Sequence, residues 1–161
     1  MRDFRKKILS PAVLARRLAA ERRRGRKAVF TNGCFDILHE GHVSYLQRAR
    51  TLGDLLVVAL DTDAAVRVQK GPERPINTLK RRQAVIAALE SVDYVTFFSG
   101  SNPLPLIKKL RPSVVAKGGD WDIDRIIGAR EVIAWGGEAY SLPFVAGRST
   151  TSIVKKIRAR G

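Results

Sequence analysis

Residues 55–60 read Leu-Leu-Val-Val-Ala-Leu, an apolar run with no polar interruption. A strand with one wet face alternates apolar and polar residues. A run that does not alternate belongs to a strand covered on both faces, which in practice means a parallel sheet flanked by helices. The run is far too short to span a bilayer, which takes about 20 residues as a helix.

The rest of the chain supplies the partners such a strand needs. Ser10-Pro11 reads as an N-cap followed by a first helical residue, Val13, Leu14, Leu18 and Ala19 recur at helical spacing, and Gly25 closes the segment. Strands are predicted over 27–31, 55–60, 94–98, 113–116 and 138–142. Helices are predicted over 43–52, 63–68, 79–89, 103–110 and 124–135, with a last one capped by Ser149 and running through 157. A polar loop with Gly71, Pro72 and Pro75 spans 69–77. Strand and helix alternate, so the expected fold is α/β: a Rossmann-like, doubly wound, five-stranded parallel sheet with helices on both faces. Such sheets bind ligands beyond the carboxyl ends of their strands, where the strand order reverses. The expected organisation is one domain over 1–161, with a leading basic helix over 1–26 and a catalytic core over 27–161.

The formal net charge is +15 in 161 residues. Residues 1–28 hold +9 of it and residues 148–161 hold +5, which leaves +1 for everything between. A groove that tracks a phosphate backbone draws on the body of a fold and interleaves aromatics. Runs such as Arg22-Arg23-Arg24 and Lys155-Lys156 instead read as solvated helix faces, and no nucleic-acid partner is expected. Cys34 is the single cysteine, so no intrachain disulfide forms, and no apolar segment follows the basic start as in a signal peptide. The expectation is a cytoplasmic protein without membrane insertion.

Neither G-x-x-x-x-G-K-[ST] nor G-x-G-x-x-G follows the first strand, which disfavours a P-loop kinase and a standard dinucleotide oxidoreductase. The strand runs instead into Thr31-Asn32-Gly33-Cys34-Phe35-Asp36, then His39-Glu40-Gly41-His42. Both histidines of the chain sit here. If His42 opens the next helix, two imidazoles meet the free N–H groups and positive dipole of a helix N-terminus, which makes an anion site. Gly41 lets the backbone approach a ligand closely. Cys34 has no nearby base in sequence to activate it and reads as a packed residue.

This segment resembles the HxGH nucleotidyltransferases. Lys117-Gly118-Gly119-Asp120-Trp121, Gly147-Arg148-Ser149-Thr150-Thr151-Ser152 and Lys70-Gly71-Pro72-Glu73-Arg74-Pro75 extend the resemblance over nearly the whole chain. They bring it closest to the D-glycero-β-D-manno-heptose 1-phosphate adenylyltransferases, in a form without the sugar-kinase half found fused in many bacteria. The resemblance implies transfer of AMP from ATP to the sugar phosphate, giving ADP-heptose and pyrophosphate for lipopolysaccharide inner-core synthesis. ATP and a sugar phosphate are then the partners, with Mg²⁺ bound through the ATP phosphates and no protein metal site. A homo-oligomer, with a dimer favoured, is also expected. The alternative is a cytidylyltransferase acting on glycerol 3-phosphate or a related acceptor. The cytidylyltransferases usually carry an arginine where this chain has Phe144, which suits the heptose branch better.

The chemistry asks for little base. A phosphate monoester has a second pKa of about 6 and is already anionic at neutral pH. It needs alignment on the α-phosphorus and neutralisation of the leaving pyrophosphate. His39, His42 and Lys70 are the expected catalytic residues. Thr31, Asn32, Gly33, Cys34, Phe35, Asp36, Gly41, Ser149, Thr150 and Thr151 are expected to line the nucleotide. Lys70 and Arg74 on the polar loop, Arg82, Lys117, Gly118, Asp120 and Trp121 are expected to meet the acceptor.

Overall fold

The computed structural model describes residues 3–143 and 150–159. The first helix, α1 (Pro11–Arg23), starts as its sequence says, with the Ser10 hydroxyl accepting from the Val13 N–H. Then come β1 (Ala28–Gly33), α2 (Glu40–Arg50), β2 (Leu55–Asp61), α3 (Asp63–Lys70), α4 (Leu79–Ala87), β3 (Tyr94–Phe98), α5 (Leu104–Leu110), β4 (Val114–Gly118), α6 (Ala129–Ala134), β5 (Glu138–Leu142) and α7 (Thr150–Arg158).

The five strands are all parallel, in the order β3-β2-β1-β4-β5. The order reverses at β1, whose neighbours are β2 and β4, so the switch point lies at its carboxyl end. The period-2 alternation of a strand sorts the apolar run of β2 onto two faces. Leu55, Val57 and Ala59 join Leu14 and Leu18 of α1, Leu106, Ile107 and Leu110 of α5, and Val132 of α6 in one core. Leu56, Val58 and Leu60 join Tyr45, Leu46 and Ala49 of α2 and Ile86 and Ala87 of α4 in the other. Every residue of β2 is buried, which is why its sequence does not alternate.

Several boundaries differ from those the sequence predicts. Helix α2 begins at Glu40 rather than 43, because His39 is extended (φ −145°) and caps it. Helix α3 runs on to Lys70, so Lys70 closes a helix and does not sit on the following loop. Strand β4 continues through Lys117 and Gly118. The helix expected over 124–135 is broken into a short 3-10 turn, Ile123–Arg125, and α6. The break is steric. Gly128 stands at φ +89°, and a Cβ there would lie 2.6 Å from Ile107 Cδ1 of α5, so the chain must kink to let the two elements touch. Ahead of α1, a 3-10 turn over Phe4–Lys7 leads to a parallel bridge between Ile8 and Val95, which covers the outer edge of β3.

Candidate active site

The site is built where β1 leaves the sheet. Phe35 takes a left-handed conformation, φ 47°, uncommon for a bulky residue and so held by its surroundings. Its ring folds back over Gly33, where a Cβ would stand 3.0 Å from Phe35 Cε2. The other side of the ring reaches His42, with centroids 5.1 Å apart.

Asp36 anchors the next stretch of chain. Its carboxylate accepts the backbone N–H of Ile76 and of Asn77, each at 2.8 Å, and Nε of Arg74 at 2.6 Å. Its carbonyl accepts from the Asn77 amide at 2.8 Å. Burial pushes this carboxyl up, but the bonds from Asn77, Ile76 and Arg74 outweigh it and hold the group below the usual carboxylate range. Asp36 therefore ties the loop beyond α3 to the histidine segment. Arg74, expected on the acceptor phosphate, has its Nε held in this tie.

The two histidines stack at the start of α2. Their ring centroids are 3.7 Å apart and the planes are 22° from parallel. Burial first, then the neighbouring His39 ring, push His42 down to about 4, with the Ile37 backbone opposing. Two such rings in contact cannot both be cationic at neutral pH, and His42 is neutral there. Its Nδ1 is buried with no hydrogen-bond partner among the described residues. Gly41 is buried in the first turn of the same helix, where the His42 N–H bonds the His39 carbonyl at 2.9 Å, and this turn lies at the carboxyl edge of the sheet. Thr150, the first residue of α7, reaches this loop and donates from Oγ1 to the Ile37 carbonyl at 3.3 Å. Ser149 and the Thr151 side chain, expected beside it, lie outside the described residues.

Arg82 is fully buried and forms a four-way clamp. Nε donates to the Asn77 carbonyl (3.0 Å), Nη1 to the Cys34 carbonyl (2.7 Å), and Nη2 to both the Asp61 carbonyl (2.8 Å) and Asp63 Oδ1 (2.7 Å). It is expected from the sequence to meet the acceptor; here four of its five N–H donors join the ends of β1 and β2 to α3 and the 77 turn. Thr31 is likewise engaged within the protein. It is buried in the sheet, and its hydroxyl bonds the Tyr45 hydroxyl at 2.6 Å, which in turn donates to the Ala116 carbonyl. Burial pushes that phenol up to about 12, with Thr31 opposing. Thr31 thus anchors α2 to the sheet.

Lys117 projects from β4 toward β1, with Nζ 3.4 Å from both the Asn32 carbonyl and Asn32 Oδ1. Burial lowers its pKa, while Asp61 and Cys34 oppose the shift. Asp61, the buried last residue of β2, is the site residue that sequence reasoning missed. It accepts from Gln69 Nε2 at 3.1 Å and faces Cys34 Sγ at 3.6 Å. The signal was there: an acid closing an apolar run marks the carboxyl end of a central strand. Burial first and then Asp61 push the Cys34 thiol up to about 11, so it stays protonated, as expected of a packed residue; Lys70 pulls the other way. Lys70 itself is exposed at the end of α3. Gly118 is buried at the end of β4, and its carbonyl accepts the Trp121 indole N–H at 2.9 Å. Asp120 and Trp121 are exposed in the turn beyond.

The profile of the family described as cytidylyltransferase-like matches residues 30–156. The chain is 48% identical over 159 residues to the bifunctional protein HldE of Trichlorobacter lovleyi, covering 99% of this chain and 32% of that protein. It is 49% identical over 151 residues to the bifunctional protein HldE of Geobacter sulfurreducens, covering 94% and 31%. The chain thus spans about a third of the length of these curated relatives. Among solved structures, a lipopolysaccharide core biosynthesis protein from Thermoplasma volcanium superposes with a TM-score of 0.62 at 27% identity, over 75% of this chain and 98% of that one.

Proposed function

The chain belongs to the cytidylyltransferase-like family of nucleotidyltransferases, and on that premise we propose that it transfers AMP from ATP to D-glycero-β-D-manno-heptose 1-phosphate. The observation that carries the reading is the stacked, buried pair His39 and His42 at the start of α2, beside the strand-order switch. The relatives named HldE and the solved neighbour named for lipopolysaccharide core biosynthesis support the heptose branch over the glycerol-phosphate one.

In this mechanism an oxygen of the sugar phosphate attacks the α-phosphorus of ATP. The new P–O bond joins the two phosphates, the bond to the β-phosphate oxygen breaks, and its electron pair leaves on pyrophosphate. His39 and His42, the latter as a neutral imidazole, donate N–H bonds to the triphosphate, and these strengthen as charge moves onto the leaving group. The Gly41 amide in the first turn of α2 and the Thr150 end of α7 complete the donor set. Lys117 and Lys70 supply positive charge near Cys34. Among the described residues no group of three or more His, Cys, Asp or Glu is placed to cage a metal. Mg²⁺ would be brought in by the triphosphate and would offset phosphate charge.

The test is pyrophosphate release with Mg²⁺, ATP or CTP, and a panel of heptose 1-phosphate, glycerol 3-phosphate, FMN and phosphopantetheine. Release with ATP and heptose 1-phosphate, lost in His39→Ala and His42→Ala, is the expected result. Release with CTP and glycerol 3-phosphate instead would keep the mechanism and overturn the substrate.

A further inference from the structure

Because the strands are parallel, their amino ends share one edge of the sheet, opposite the edge that holds the histidines. Helices α1, α2, α4, α5 and α6 each run back to that amino edge before the next strand begins. Basic residues in the last turns of α1 and α5 complement the helix dipoles there. Around these two helices the cations exceed that need. Arg24 and Arg26 continue beyond α1, and Arg111 follows α5. Arg22 Nη1 donates to the Arg111 carbonyl at 2.9 Å and to the Leu110 carbonyl at 3.5 Å, which fastens the two helix ends side by side.

The exposed cations Arg22, Arg23, Arg24, Arg26, Lys109 and Arg111 pair with a single carboxylate, that of Glu21, shared by Arg24 at 3.7 Å and Arg26 at 3.2 Å. Among the described residues no carboxylate lies within ion-pair distance of the other four. The neighbouring acids are occupied: Asp54 by the Lys27 N–H, Glu138 by the Lys27 ammonium, and Asp93 by Arg50. Two apolar residues lie at the end of α6, one of them in contact with Arg111. Trp135, at the end of α6, carries the Arg111 guanidinium 5.3 Å above its ring and bonds the Pro112 carbonyl through its indole N–H. Ile133 is 52% exposed on the same helix.

We propose that this amino-edge rim docks the protein on an anionic lipid surface. A bilayer face reads charge density and accepts shallow apolar insertion, which is what the clustered arginines and the exposed Ile133 offer. Duplex nucleic acid is the poorer fit. The helices meet the rim end-on, so none presents a side to a groove, and the free face for base stacking on Trp135 is covered by Arg111. No helix among the described residues is long and apolar enough to cross a membrane, so the contact is peripheral. It leaves the histidine edge open to solvent.

The experiment is flotation of the full chain with vesicles of phosphatidylcholine alone and with about one third phosphatidylglycerol, at low and raised salt. Binding is expected only to the anionic vesicles, and it weakens with salt. Each neutralised cation lowers partitioning roughly fivefold, so Arg23→Gln with Lys109→Gln lowers it roughly 25-fold. Both side chains are exposed, and unchanged pyrophosphate release in the variant separates this result from the catalytic reading. Ile133→Ser, tested alone, also weakens binding. Equal binding to neutral vesicles, no binding, or full binding by the double variant overturns the proposal. So does a random-sequence duplex that binds the rim and displaces the vesicles.

Discussion

Burial and the His39 ring push the His42 imidazole down to about 4 from an ordinary 6.5. Between those values the unfolded chain binds more protons than the folded one. The stability this neutral imidazole contributes is therefore fully present above about 6.5 and is lost as pH falls through about 4. His42→Gln removes that component. Urea unfolding of the wild type and the variant over this window should show the wild-type midpoint falling more steeply with acid. Arg82 gives a second prediction. Arg82→Ala leaves the Cys34, Asp61 and Asn77 carbonyls and the Asp63 carboxylate without their donor, which costs about 3 kcal/mol or more. Arg82→Lys keeps the charge but not the planar fork and recovers only part of the loss in the same unfolding assay. At this scale the sequence marks the histidines, because two imidazoles around a glycine at a strand end are a local pattern. It cannot mark the Arg82 clamp, whose partners are scattered from Cys34 to Asn77 and meet only when β1, β2 and α4 are packed.

The elements followed from local patterns wherever those patterns were strong. The apolar run of β2, the Ser10-Pro11 start of α1 and the 94–98 strand all stand where their residues place them. The expected helix over 124–135 failed because its periodicity says nothing of Ile107, which presses on Gly128 from another element. Lys117 fell inside β4 for a similar reason: pairing with β5, as far as Gly118 with Leu142, extends the strand past its apolar residues. Gly137, where α6 hands over to β5, offers a test. A Cβ there would lie 2.6 Å from Val132 Cγ1 and closer still to the Ser113 carbonyl. Gly137→Ala should destabilise the fold by about 1–3 kcal/mol, read as a lowered thermal midpoint with activity retained below it.

In the whole molecule the leading helix is not an appendage. Leu14 is fully buried and Leu18 is 2% exposed, in the same core as β2 and α5. Deleting residues 1–25 removes both, each worth about 1.5–3 kcal/mol of burial, and uncovers the edge of β3. Circular dichroism of that truncation should show loss of cooperative unfolding, which would make it a poor probe of the basic terminus. The same view explains how the site arises. Its residues come from β1, β2, β4, α2, α3 and α7 and converge because parallel strands deliver every carboxyl end to one edge. The layered α/β architecture, the strand that must be central and the histidine pair were legible before folding, since each is written in contiguous residues whose burial or chemistry is local. Packing of distant segments was needed to show that Asp36 and Arg82 bind the site together, that Thr31 bonds Tyr45, and that the cations of α1 and α5 form one rim. Those facts depend on which side chains distant segments bring within hydrogen-bond reach, and short-range spacing carries no information about that.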